Sequence, residues 1–339
     1  MAPTGGAPLD RQALARLNTA YAQSRLLHSA VQTGLFEFLR RGPATLAGIC
    51  EGLDLNPALT GDFLNALVAL GLLERADGER YGNSVAAGRF LVPGGDIYMG
   101  ARVRTTADKH YHLWGRLTEA LRDGLPKSGG GAGSFDTLYD DPERARGFLK
   151  HMDANNALVA PQLADAVDWA AYGSFVDVGG ARGNVAGTLV KAHPHLSGGV
   201  FELPKAEPFF HELMDEMGLT GKVDFHPGDF FADPLPAADV LVFGHVLHDW
   251  SVERRRMLLG RAFESLAPGG AIVVYDQMLD GEDPDLASLI GSLNVGLMLG
   301  GSEYTAEECR GWAEEAGFRF QYAKRLPKGN DTVLYATKD

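Results

Sequence analysis

The stretch FVDVGGARGNVAGTLVKAHPHLSGGVFE at 175–202 constrains the fold most, because it reads as strand, glycine turn, helix and second strand in one short segment. Phe175 to Val178 is apolar apart from the acid Asp177, and the run stops at Gly179, Gly180 and Gly183, where the backbone needs room or a positive φ. Asn184 is a good N-cap for the helix that follows, which carries Val185, Leu189 and Val190 inward until Pro194. A second strand, Gly199 to Phe201, ends on Glu202, an acid placed to suit a ribose diol. The segment is a ligand-binding βαβ unit.

Glycine spacing separates two cofactor classes. A dinucleotide fingerprint requires G-x-G-x-x-G, and no glycine triplet here fits that register. The set Asp177-x-Gly179-x-Ala181-x-Gly183 instead resembles the D/E-x-G-x-G-x-G loop of S-adenosylmethionine-dependent methyltransferases. Such a loop wraps a methionine tail and a ribose, so it needs close backbone approach without a phosphate site. A glycine turn in any parallel sheet would look similar, and the motif alone leaves the cofactor open.

A chain of 339 residues, 45% hydrophobic, can bury a large core and is long enough for two domains. Its net charge of −13 argues against a nucleic-acid partner, since phosphate neutralisation needs clustered Lys and Arg. Cys50 and Cys309 lie far apart without metal-ligand spacing, so neither a disulfide framework nor a metal site is expected. The N-terminal MAPTGGAPLDRQ lacks a basic and an apolar leader region, and no stretch approaches the ~20 apolar residues of a membrane span. The expectation is a cytoplasmic protein without a membrane partner.

Toward the N-terminus, Leu14, Leu17, Tyr21, Leu26, Ala30 and Val31 recur at helical spacing. The segment 45–91 then reads as helix, turn, helix and a short hairpin around Asp77 and Gly78, a winged-helix pattern. The helix near Pro57 has almost no basic side chains, so the pattern favours a structural or dimerising module over DNA recognition. From Ala107 to Trp169 the chain is again helical, interrupted by KSGGGAGS at 127–134, a lid candidate. Beyond the βαβ unit, strands at 222–226, 239–243 and 271–275 with a helix at 252–266 continue a parallel sheet covered on both faces. Segments 318–322 and 332–337 read as a terminal antiparallel hairpin. This divides the chain into a winged-helix-like, all-helical domain at 9–105 and an α/β Rossmann-like domain at 106–339, whose residues 106–170 are a helical segment.

In open α/β sheets ligands bind beyond the carboxyl ends of the strands. There the sequence collects Asp177 and the glycines, Glu202, Gly228-Asp229-Phe230, the run His245-Val246-Leu247-His248-Asp249-Trp250, Asp276, and Glu303 after Gly300-Gly301-Ser302. DVGGARG, FELP, GDFF, LHDW, and GGSEYT ahead of AEECRGWAEEAGF occur in the order seen in a known family. On these five pieces the chain resembles the small-molecule O-methyltransferases typified by plant caffeic acid, animal hydroxyindole and bacterial polyketide-tailoring enzymes, over nearly its whole length. The resemblance implies an N-terminal winged-helix-like dimerisation domain, a class I methyltransferase domain and a homodimer.

It also implies roles. His248 would be the general base for a substrate hydroxyl, flanked by Asp276 and Glu303. Chemistry of this kind needs a base, because a phenol of pKa ~10 is protonated at neutral pH while an imidazole of ~6.5 accepts its proton. Asp276 is a departure, since many plant relatives have Glu there. Asp177, Gly179, Gly180 and Gly183 would form the cofactor loop, Glu202 with Leu203 the ribose site where the family usually has Asp, and Gly228, Asp229 and Phe230 the adenine site. Trp250 suits either the adenine pocket or the core. Plant relatives carry Lys four residues before the catalytic His, where this chain has Gly244. Trp114, Phe148, Met152, Asn155, Asn156, Asn294 and Met298 would line a pocket for an aromatic hydroxylated substrate. His245 and His248 could suggest a metal on spacing alone, but no third ligand is evident in the sequence, and a metal-free site is expected. The leading reading is S-adenosylmethionine-dependent methyl transfer to an aromatic secondary metabolite. The alternatives are the same fold with N-methylation, hydroxylation or decarboxylation chemistry, and a winged-helix regulator.

Overall fold

The computed structural model describes residues 10–94, 98–129, 134–279 and 284–339, and separates into a unit ending at Gly115 and a unit from Arg116 to Asp339. The division falls beyond the 105/106 boundary drawn from sequence. Residues 106–114 continue the preceding helix through a π-helical turn, Thr106–His110, and are held to the first helix. Gln32 Nε2 donates to Asp108 Oδ1 at 2.6 Å, and the Tyr111 ring meets His28 edge-on and carries the Arg25 guanidinium.

In the first unit the helix Arg11–Gln32 is capped by Asp10, and the helix Pro57–Ala69 by Asn56 with proline at its opening turn. Strands β2 (Leu73–Ala76) and β3 (Arg80–Asn83) pair across a turn in which Asp77 and Gly78 both take positive φ, and β1 (Ala44–Thr45) pairs with β3. The unit is therefore helical with a small three-stranded antiparallel sheet, made of the hairpin expected around Asp77 and Gly78 and of β1, which two residues are too few to reveal by alternation. Ala30, Val31, Leu35, Phe36, Ile49, Leu64 and Leu67 form its core, whereas Leu14, Leu17 and Tyr21 stand exposed along the first helix.

The second unit holds a seven-stranded sheet: β4 (Ser174–Val178), β5 (Ser197–Glu202), β6 (Val223–Pro227), β7 (Val240–Gly244), β8 (Ala271–Asp276), β9 (Arg319–Arg325) and β10 (Thr332–Thr337). Their order is β6-β5-β4-β7-β8-β10-β9, with β10 antiparallel to both neighbours and the others parallel. Both faces of the central strands are buried, which explains the unbroken apolar runs of β7 and β8. Phe175, Val240, Val242, Val273 and Tyr275 face a core with the helices Pro142–Ala166, Asn184–Ala192 and Glu207–Met217. Val176, Leu241, Phe243, Ile272 and Val274 face the other, with Val252–Ser265 and Ala306–Ala316. After β6 the chain returns to lay β7 against β4, so strand order reverses between them. That reversal opens a crevice beyond the ends of β4 and β7, where ligands bind in such sheets.

Asn184 is the first helical residue rather than the cap. The cap position is Gly183, at φ +87° without a side-chain cap bond, because the loop needs a left-handed residue there. Among the described residues no helix is long and apolar enough to cross a membrane.

Candidate active site

The turn after β4 has Gly179 at φ +74°, Ala181 at φ +51° and Gly183 at φ +87°. Gly180 is needed for space instead: a Cβ there would sit 2.6 Å from Asp177 Oδ2. Positive φ thus falls on alternate residues of the motif, and Ala181 bears it despite its side chain. This winding aims backbone N–H groups at the end of β5, where Glu202 Oε2 accepts from Ala181 N at 3.0 Å and Glu202 Oε1 from Leu203 N at 2.8 Å. Burial raises both Asp177 and Glu202 to about 7, with Glu202 adding to the effect on Asp177. Next along the rim, Asp229 Oδ1 accepts from Phe231 N at 2.8 Å and closes the Gly228-Asp229-Phe230 turn on itself. The Phe230 and Phe231 rings stand edge-on to Trp250, with centroids at 5.9 and 4.6 Å. Trp250 is buried, yet its Nε1 has no partner among the described residues, a donor available to a ligand.

β7 ends at Gly244, and a Cβ there would lie 1.9 Å from the Tyr275 ring. Tyr275 therefore occupies the space that a lysine side chain would need to leave the backbone. His245 follows at φ +53°, its N–H bonded to Tyr275 O, and this left-handed residue turns the chain into the short 3₁₀ turn Leu247–Asp249.

His248 sits among three carboxylates. Its Nδ1 lies 2.8 Å from Glu303 Oε1 and 3.4 Å from Asp276 Oδ1, and its Nε2 lies 3.4 Å from Asp249 Oδ1. Glu303 accepts from Nδ1–H, so that in the neutral form of this ring, 14% exposed, Nε2 is the acceptor. Burial alone would lower the His248 pKa, but Asp276, Asp249 and Glu303 outweigh it and push the imidazole up to about 10. Asp276 is fully buried at the end of β8, held by the Tyr304 hydroxyl; burial raises it to about 7 against the opposing pull of His248. Ser292 Oγ accepts the Glu303 N–H at 3.0 Å and so ties the acid to the helix Leu286–Leu299.

His245 is buried 3.2 Å from Asp331 Oδ1 and 3.7 Å from Asp276 Oδ1. Burial and the neighbouring His248 push it down to about 3, so it is neutral. His245, His248 and Asp276 each place a potential ligand atom within 4.8 Å of the others, which supplies the third donor that sequence spacing did not reveal. As arranged, these atoms serve an imidazole–carboxylate network, with the His248 Nδ1 taken up by Glu303.

The expected pocket residues are divided between the two units. Trp114 belongs to the first unit. On the helix Pro142–Ala166, Phe148 and Met152 are half-buried, Asn155 is exposed, and Asn156 is buried with Oδ1 unpartnered; one helical step turns the neighbours to different sides. Phe135 links this helix to the adenine-side aromatics, with ring centroids 6.4 Å from Phe148 and 6.0 Å from Trp250. On Leu286–Leu299, Asn294 Nδ2 contacts Met298 Sδ at 3.5 Å while its Oδ1 is buried and unpartnered. Of the lid candidate, residues 130–133 lie outside the described residues; Lys127 N–H donates to Leu297 O. Sequence reasoning missed Asp249 and Asp331 beside the histidines, and Tyr304 and Ser292 as partners of Asp276 and Glu303. Only Asp249 had a local signal, as the residue after His248.

A family model described as the O-methyltransferase domain matches residues 114–319, and one described as the O-methyltransferase dimerisation domain matches residues 15–93. An N,N-dimethyltransferase of Streptomyces rimosus is 49% identical over 96% of each chain. The tetracenomycin polyketide synthesis 8-O-methyl transferase of Streptomyces glaucescens is 48% identical over 95% of each. The crystal structure of an O-methyltransferase from neocarzinostatin biosynthesis, in complex with S-adenosylmethionine and 2-hydroxy-5-methyl naphthoic acid, superposes with TM-score 0.84 at 26% identity, covering 98% of this chain and 100% of that one.

Proposed function

Because this chain belongs to the S-adenosylmethionine-dependent O-methyltransferase family, we propose that it methylates a hydroxyl of an aromatic polyketide-type metabolite, with His248 taking the hydroxyl proton. The observation that carries the reading is the reachable His248 ring, with Nδ1 fixed by Glu303 and Nε2 free of backbone partners. S-adenosylmethionine supplies the methyl group as a sulfonium electrophile when bound. The left-handed turn Gly179–Gly183, the Glu202 carboxylate and the unpartnered Trp250 Nε1 would hold it, with Asp229 and Phe230 at the adenine. Asp276 and Glu303 orient the imidazole and stabilise its protonated form. Asn156 and Asn294, each with a buried oxygen that has no partner among the described residues, are candidates to receive a donor on the acceptor molecule.

The proton balance follows from the acids. An imidazole held at about 10 is protonated at neutral pH, so the ligand-free site carries an imidazolium. A phenol of pKa ~10 is closely matched to it, and the proton can pass between oxygen and Nε2 at little free-energy cost. Methyl transfer then needs the pair to lose one proton overall, and the rate should climb with pH well beyond the ordinary histidine range.

A second reading is N-methylation, favoured by the 49% identity to an N,N-dimethyltransferase. The test is methyl transfer by wild type and His248→Ala to a panel of hydroxynaphthoates, hydroxyquinones and matching aromatic amines, read by mass with chelator present. His248→Ala should lose about 10²–10⁴-fold toward hydroxyl acceptors and recover part of it as pH approaches the acceptor's pKa. Exclusive turnover of amines establishes the second reading, and full activity of His248→Ala at neutral pH rejects the base. The exposed Leu17 and Tyr21, within the region matched by the dimerisation family, and Leu14 just before it support a homodimer through the first unit.

A further inference from the structure

Arg255, on the helix Val252–Ser265, is only 2% exposed and forms no ion pair among the described residues. Enclosing a guanidinium without a carboxylate is unfavourable unless its donors are used. They are used on backbone. Nε donates to Leu247 O at 2.9 Å, and Nη2 donates to Ser302 O at 2.5 Å, Ser302 Oγ at 3.2 Å and His248 O at 3.3 Å. The faces of Tyr304 and Trp312 lie 4.7 and 5.2 Å from the guanidinium carbon and shield it. One planar cation thus grips the turn that carries His248 and the segment that presents Glu303.

The same two segments meet a second time. Ser302 N–H donates to His248 O at 2.9 Å, and Gly301 packs so tightly that a Cβ would stand 2.0 Å from His248 O. From this geometry we propose that Arg255 is a positioning residue that sets the spacing between the His248 imidazole and the Glu303 carboxylate. The 2.8 Å contact between those side chains joins residues 55 apart in sequence, and their local chain does not determine it. Arg255 anchors both backbones to a helix packed on the sheet, and its forked donors are directed where a flexible ammonium would not hold all three carbonyls. Misplacing a reacting group by about 1 Å can lower a rate by ~10²-fold.

The inference rests on His248 acting as base, so the experiment carries His248→Ala beside Arg255→Lys and Gly301→Ala, which widens the same spacing from the other side. All are full-length proteins, assayed with S-adenosylmethionine and an aromatic acceptor that wild type methylates. Arg255→Lys and Gly301→Ala should bind S-adenosylmethionine with wild-type affinity by calorimetry and keep the acceptor KM within about threefold, while kcat falls about 10–10²-fold. A folded variant of either kind with wild-type kcat overturns the proposal. So does failure of both to fold by circular dichroism, which would make Arg255 a stability element. Full activity in His248→Ala rejects the base itself, an outcome separate from any effect at Arg255.

Discussion

Replacing Glu303 by Gln removes one charge and keeps the shape of the side chain. In the native site Glu303 Oε1 is 2.8 Å from His248 Nδ1, while Asp276 and Asp249 stand 3.4 Å from the ring nitrogens and remain in the variant. A hydrogen bond to a charged group contributes about 1.5–3 kcal/mol, and one pKa unit corresponds to ~1.4 kcal/mol. The imidazole, held at about 10 in the native protein, should therefore move down by about 1–2 units in Glu303→Gln. The amide oxygen still accepts the Nδ1 proton, so ring orientation persists. His248 must be neutral to accept a proton, and its neutral fraction grows as pH rises toward its pKa. The rising limb of log kcat/KM should thus shift to lower pH by the same 1–2 units, and the plateau should fall because the base is weaker. Initial rates across the alkaline range, with an acceptor whose own pKa is known, measure both. A limb that stays in place would refute the electrostatic argument, even if the rate itself changed.

Three further outcomes are expected. Asp229→Ala opens a turn that Asp229 closes with Phe231, so it should cost about 1 kcal/mol of stability but weaken S-adenosylmethionine at least ~10-fold in calorimetry with chelator present; unchanged affinity or a magnesium requirement rejects the adenine placement. Wild type should sediment as a dimer at micromolar concentration and Leu17→Asp as a monomer, because Leu17 lies 64% exposed in the apolar stripe; equal sedimentation removes the stripe as interface. Gly244→Ala should destabilise by about 1–3 kcal/mol in thermal melts, its Cβ falling 1.9 Å from Tyr275. A double-mutant cycle with Tyr275→Val should show coupling, and additive effects would mean that this contact is not the cause.

Local signals made much of the fold legible. Apolar runs alternating with helical periodicity revealed the parallel sheet and the terminal hairpin, and turn residues Asp77 and Gly78 marked the hairpin of the first unit. Ordered motifs at strand ends placed His248, Asp276 and Glu303 together on paper, and in the fold Glu303 Oε1 and Asp276 Oδ1 lie 2.8 and 3.4 Å from His248 Nδ1. Smaller errors came where tertiary demand overrode local preference. Asn184 is a favourable cap, yet the loop required a left-handed residue before it, and Gly183 took the position. Ala181 has no intrinsic preference for φ +51°, but holds it because its N–H reaches Glu202.

The sequence by itself determined the sheet's composition, its division of apolar positions between two faces and the acids that follow its strands. These depend on interactions within a few residues, which periodicity and turn chemistry record. Only the tertiary structure decided that β7 lies against β4, that Tyr275 fills the space beside Gly244, and that Arg255 reaches the carbonyls of residues 247, 248 and 302. Each is a contact between segments remote in the chain, selected by how side chains pack and which buried polar groups must be satisfied. Arg255, between Arg254 and Arg256 on its helix, looks like any solvated charge until the fold encloses it.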